Sequence, residues 1–177
     1  MIEINVDDKL LNMAKNHYDY MNRMLNQWSF HKDPYLGNMY GALGECAVKT
    51  YYGDAVEFPE IWSPHFDIIW GKKWKIDVKS KGLTAGITPK PYYNVSVIAN
   101  NGGGMAVNQQ CDIYCFCHVS SDHKKVWIDG FLTKQKFLNT AKFFPKGSLD
   151  TDHPETGFHF KVDTYITQIS NLQFPKL

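Results

Sequence analysis

Between Val6 and Trp28 apolar or aromatic residues recur at 10, 14, 17, 18, 21, 25 and 28, counting the His17 ring. That spacing places one face of a long amphipathic helix inward, with Asn5 or Asp7 available to cap its start. The break "HKDP" follows, with Asp33 as N-cap and Pro34 at the first helical position of a second helix. This helix runs through "YLGNMYGALGECAVKTYY" and stops at Gly53. Inside it Gly37, Gly41, Ala42 and Gly44 weaken helix propensity by up to ~1 kcal/mol per glycine, so their presence implies that another backbone passes close by. Glu45 directly follows this small-residue run.

The pattern then changes to the period of strands. "FDIIWGKKWKIDVKSK" (66–81) reads as two short strands about a Gly-Lys-Lys turn. A Gly/Pro-interrupted loop leads to "YNVSVIA", then to the polar "NNGGGMAVNQQ", whose glycines do not match the GxxxxGK[ST] phosphate loop. "CDIYCFCHV" is a continuous apolar strand covered on both faces. "SSDHKK" turns into "VWIDGFL", giving a second hairpin, and Thr133 caps a short helix over "KQKFLNTAKFF". The tail "GFHFKVDTYITQI" reads as one or two strands. Helix, helix, hairpin, strands, short helix and final strands make a mixed α+β fold, helices packed on a central sheet.

A chain of 177 residues with 44% apolar and 21% charged residues fits one globular domain. No apolar run approaches the ~20 residues of a membrane span, which excludes a helical membrane protein. The acidic "MIEINVDDKL" lacks a signal-like apolar core, so a cytoplasmic location is expected. The net charge of +1 announces no polyanionic partner. Locally, Lys72, Lys73, Lys75, Lys79, Lys81 and Lys90 face a single acid, Asp77, a balance that suits either a phosphate-facing patch or a lysine-guarded strand edge. Cys46, Cys111, Cys115 and Cys117 form no CxxC pair, so free buried thiols are expected rather than structural zinc.

With Gly71, Lys72 and Lys73 as the turn, Trp70 pairs with Trp74, Ile69 with Lys75, Ile68 with Ile76, Asp67 with Asp77 and His65 with Lys79. Phe66, Ile68, Trp70, Trp74, Ile76 and Val78 then form the core face, while Asp67, Asp77 and Lys79 share the other. Opposed carboxylates ~5 Å apart raise a pKa, take a cation or recruit a lysine. A hard divalent ion with oxygen ligands is one answer, and a solvated face with simple ion pairs is another.

At these residues the sequence resembles the PD-(D/E)XK nuclease superfamily of phage and bacterial type. The likeness rests on "GALGECAVKTYYG" with Glu45, "FDIIW" with Asp67 and "WKIDVKSK" with Asp77-x-Lys79, and "QCDIYCFCHV" looks like the next core strand. It covers residues 37 to 120 well and the rest loosely, and Phe66 stands where the motif name has Pro. The resemblance implies a restriction-endonuclease-like domain over 1–177: an N-terminal helix in 1–33, a catalytic core in 34–120, and C-terminal strands with a short helix in 121–177. It further implies a Mg²⁺- or Mn²⁺-dependent hydrolysis of phosphodiester bonds, most naturally in DNA, in a bacterial or phage-infected cytoplasm. Asp67, Asp77, the Val78 carbonyl and Glu45 would hold the metal, and Lys79 would act on the attacking water and the scissile phosphate. Lys72, Lys73, Lys75 and Lys81 would meet other phosphates. His65, Gln109 and Gln110 are further candidates to reach substrate, and Tyr92 and Tyr93 could stack on bases. A binding module without catalysis and an interaction protein with a solvated acidic hairpin stay open as alternatives, as do monomer and homodimer.

Overall fold

The computed structural model describes residues 1–24, 33–61, 63–99 and 104–175. A short strand β1 (Ile2–Asn5) comes first, then helices α1 (Asp8–Met24) and α2 (Pro34–Tyr52). The strands β2 (Val56–Glu57), β3 (Ile68–Trp70), β4 (Trp74–Leu83) and β5 (Asn94–Ile98) follow. After α3 (Gly104–Asn108) come β6 (Ile113–Ser120), β7 (Lys125–Thr133), α4 (Lys134–Thr140), β8 (Lys142–Phe144) and β9 (Thr164–Gln168).

The local signals act as the sequence implies. Asp7 Oδ1 accepts the Leu10 N–H at 2.7 Å and so caps α1, while Asp33 Oδ1 accepts from Tyr35 and Leu36 at the start of α2. The end of α2 falls at Gly53, whose φ of 58° favours glycine. Thr133 accepts the Lys136 N–H and caps α4. Residues 25–28, the expected end of the first helix, lie outside the described residues.

Three expectations are corrected. The N-terminal part is not a helix alone, because β1 pairs with β7 at the sheet edge. The short helix ends at Thr140, where "KFF" becomes β8 and joins a second sheet. Trp74 is 44% exposed, and its ring lies under the Lys73 ammonium instead of in the core.

The main sheet has the order β1-β7-β6-β4-β3-β2, with β4 and β6 parallel and the other pairs antiparallel. A three-stranded sheet, β5-β9-β8, is formed partly by the connection between β4 and β6. Helices α1 and α2 cover one face of the main sheet over Ile68, Ile76, Val78, Cys115, Cys117 and Ile128. The other face buries Tyr114, Phe116 and Leu132 with Phe137 of α4 and Val95 and Val97 of β5. Both faces of β6 are therefore covered, which explains its unbroken apolar run. All four cysteines are free and buried. Among the described residues, no helix is long and apolar enough to cross a membrane.

Candidate functional site

The register of the charged hairpin is Trp70↔Trp74, Ile69↔Lys75 and Ile68↔Ile76, as the apolar pattern requires. The ladder then ends. Asp67 does not continue it opposite Asp77; its N–H donates to the Ile76 carbonyl at 2.9 Å, and its Oδ2 accepts the Val78 N–H at 2.7 Å. A side chain has replaced a ladder rung, and the chain before it peels away from β4. For this reason Phe66 leaves the helix-covered face and packs in the opposite core, under the Lys75 ammonium at 5.2 Å. The expected Phe66–Val78 pair and the expected His65–Lys79 pair both fall with the ladder.

The parting of β3 from β4 opens the sheet at the point where α2 passes. Helix α2 comes this close because of glycine: a Cβ at Gly44 would stand 2.0 Å from Ser80 Oγ and 3.4 Å from Cys117 Cβ. Gly44 thus sets the helix on β4 and β6, against side chains rather than the close backbone expected of the whole small-residue run, and Glu45, the next residue, is 4% exposed. At this opening Glu45 from α2 and Asp77 from β4 come within electrostatic range of Asp67 at the end of β3.

Their electrostatics follow from that approach. Burial, then the negative charges of Glu45 and Asp77, push the Asp67 carboxyl well above the usual range, and Lys79 with the Val78 N–H only partly offsets them. Asp77 is 4% exposed, and the Lys79 ammonium stands 2.6 Å from its Oδ2 in a close ion pair without hydrogen-bond alignment. Burial works against the charge on Lys79, but the Asp77 and Asp67 carboxylates outweigh it and hold its pKa above the ordinary lysine value. Lys79 is a cation here, suited to hold charge and orient ligands rather than to accept a proton.

One member of the group is not signalled by any motif. His17 of α1 reaches Glu45, Nε2 to Oε2 2.5 Å, and its ring stacks on Phe58 at 4.3 Å. His17, Glu45, Phe58, Phe66 and Asp67 line a cavity of about 290 Å³ at the opening. The helical spacing turned residue 17 inward with Leu10 and Ala14, and only the packing of α1 on α2 shows what it touches.

The donor chemistry of Glu45, Asp67 and Asp77 fits a hard divalent cation: oxygen ligands only, and negative charge that the surrounding protein does not fully neutralise. Among the described residues no three His, Cys, Asp or Glu side chains already converge as a coordination shell. Glu45 is turned to the His17 ring and Asp77 to the Lys79 ammonium, so both would have to swing from these partners to a metal.

The remaining candidates are placed as follows. Lys72 and Lys73 are exposed in the turn, Lys75 is exposed beside Phe66, and Lys81 is exposed two residues beyond Lys79 on the same face of β4. Gln109 is buried and takes the Tyr114 hydroxyl at 3.2 Å, a structural engagement, whereas Gln110 is exposed. His65 is half-buried, its N–H on Ser63 Oγ. No protein-family model matches the chain, and no curated protein is similar enough to it to count as a relative.

Proposed function

We propose that the chain is a divalent-metal-dependent nuclease, in the first place a Mg²⁺- or Mn²⁺-dependent deoxyribonuclease, built on a core like that of the PD-(D/E)XK superfamily. One observation carries the reading. Burial, and then the charges of two carboxylates from two other elements, raise the pKa of Asp67, and an ammonium stands beside them. A fold has no structural reason to gather like charges at a gap in its own sheet; a polyvalent cation gives one.

Asp67 and Asp77 with the Val78 carbonyl would bind the metal, and Glu45 would complete the carboxylate set from the helix. A bound divalent ion there would supply an acidified water and charge stabilisation at the phosphorus. Lys79, held charged, would fix the attacking water and neutralise the scissile phosphate as negative charge grows on it. Lys72, Lys73, Lys75 and Lys81 would neutralise neighbouring phosphates, so binding should weaken as salt rises.

The turning of Glu45 to His17 and of Asp77 to Lys79 favours, as a second reading, a nucleic-acid-binding module whose carboxylates are engaged by side chains of the protein itself. Supercoiled and linear DNA incubated with Mg²⁺, Mn²⁺ or EDTA separates the two. Metal-dependent cutting that disappears in Lys79→Ala supports the nuclease. Binding without cutting in every metal supports the module.

A further inference from the structure

From Asp77 and Lys79 the same face of β4 continues to Lys81, because alternate residues of a strand share a face. Four residues of strand cover ~13 Å. At Lys81 this face opens into a second cavity of about 760 Å³, between the end of β4 and the three-stranded sheet. Its lining joins cations, Lys81 and Lys161, to rings, Tyr92, Tyr93, Phe158 and His118. Tyr92 is 58% exposed and Phe158 48% exposed, so two large rings stand uncovered at this cleft. Lys90 lies 6.0 Å over the Tyr92 ring. Among the described residues the one carboxylate in the lining, Asp150, is buried and accepts the Asp152 N–H at 3.0 Å.

The deepest polar group is held in place. His118 is 2% exposed, and its Nδ1 meets Asp129 Oδ2 at 2.6 Å. Asp129 occupies the irregularity in the β6–β7 pairing, where Phe116 faces Gly130 and Cys117 faces Ile128. The bulge puts an extra residue beside His118 and fixes its ring, with Nε2 as the nitrogen left to offer.

We infer that this cleft binds an unpaired nucleotide of a nucleic-acid strand whose neighbouring phosphate lies at Lys79. The occupant follows from the lining: lysines for phosphate, exposed aromatic rings for a base, and an anchored imidazole for a polar edge of base or sugar. A cavity of this size suits a nucleotide-sized ligand. A base paired and stacked inside a duplex has no free face to offer these rings, so the occupant is unpaired. The inference rests on the nuclease reading for the position of the scissile phosphate, and it makes single-stranded or frayed ends the substrate class.

The test is fluorescence anisotropy of a labelled single-stranded deoxyoligonucleotide and its blunt duplex on the full chain in EDTA, beside the plasmid cutting assay. The wild type should prefer the single strand. Tyr92→Ala should weaken that binding roughly 5- to 150-fold, the range of one lost stacking contact, and Lys161→Ala should weaken it and flatten its salt dependence through the loss of a phosphate contact. Melting should stay unchanged, since Tyr92 is largely exposed. An abasic position scanned along the strand should weaken the wild type at one place and leave Tyr92→Ala indifferent there. Equal binding by wild type and both variants, or a preference for duplex, overturns the cleft. If that happens while DNA is still cut, the nuclease reading survives alone. If the variants lose binding but no metal supports cutting, the cleft stands and the nuclease reading fails.

Discussion

Asp67 Oδ2 accepts the Val78 N–H at 2.7 Å, so a carboxylate stands where the β3–β4 ladder would otherwise place a backbone carbonyl. This one bond ends the pairing, opens the sheet between β3 and β4 and brings Asp67 within repelling range of Glu45 and Asp77. It also gives Asp67 two separable roles, as a backbone acceptor and as a charge.

Asp67→Asn keeps the acceptor and removes the charge. The folded pKa of Asp67 lies above its unfolded value, near 3.9, so its ionisation costs stability. That cost is absent below the unfolded pKa, grows as pH rises toward the folded pKa, and is complete above it. The Asn variant should therefore melt higher than wild type at neutral pH, by ~1 kcal/mol or ~2–4 °C, with the gap closing as pH falls toward 4. Asp67→Ala also orphans the Val78 N–H and should melt lower than Asp67→Asn. Both should be inactive. Thermal melts across pH 4 to 8 decide the matter; an Asn variant less stable than wild type at pH 7 would show that the charge is already compensated.

Divalent metal should stabilise the fold, because the carboxylate set exists only in the folded state. At a concentration of ~100 Kd the gain is about 2.7 kcal/mol, and the melting temperature should climb with the logarithm of metal concentration. Asp77→Asn should flatten this dependence, and Lys72→Ala, in the exposed turn, should leave it intact. Equal metal shifts in wild type and Asp77→Asn would remove Asp77 from the proposed metal site.

Lys79→Ala should lower activity about 10²- to 10³-fold, the scale of one lost electrostatic contact to a transition state. Lys79→Arg should recover little, since a planar guanidinium cannot occupy the point position of an ammonium 2.6 Å from Asp77. Because the two carboxylates hold Lys79 protonated, its contribution to stability is full below its unfolded pKa and is lost only as pH rises through the higher folded value. The pH–rate profile of the wild type should accordingly show no basic-side rise through neutrality attributable to Lys79. Such a rise, lost in Lys79→Ala, would make it a general base.

The sequence carried the local half of this structure. Asp7, Asp33 and Thr133 cap helices because capping needs only a short polar side chain a few residues from its partners, and the β3–β4 register follows from alternation. Pairing over distance was not legible. β1 joins β7 across more than a hundred residues, and no pattern in Ile2–Asn5 names its partner. The same holds within the site. The hairpin register groups Asp67, Asp77 and Lys79, and Glu45 joins them in the sequence only through the family resemblance, whereas His17 reads as one more inward position of an amphipathic helix. Phe66 was assigned the wrong face because alternation assumes a ladder that continues, and Asp67 stops it.

The closeness of α2 to the sheet gives the last expectation. An alanine at Gly44 would bring its Cβ within 3.3 Å of Ser80 Cβ and 3.4 Å of Cys117 Cβ, besides the 2.0 Å clash with Ser80 Oγ. The hydroxyl can rotate, but the two Cβ atoms cannot, so the helix must shift and carry Glu45 with it. Gly44→Ala should cost about 1–3 kcal/mol, the usual penalty of overpacking, and should lower metal affinity as well as stability. Ser80→Ala alone should cost little, because the buried Ser80 hydroxyl has no hydrogen-bond partner to lose. Combined, the two changes should be less destabilising than their sum, since removing Oγ relieves the worst contact. Denaturant melts of the four proteins measure that coupling, and strict additivity would mean that Ser80 does not set the distance at which Glu45 meets the sheet.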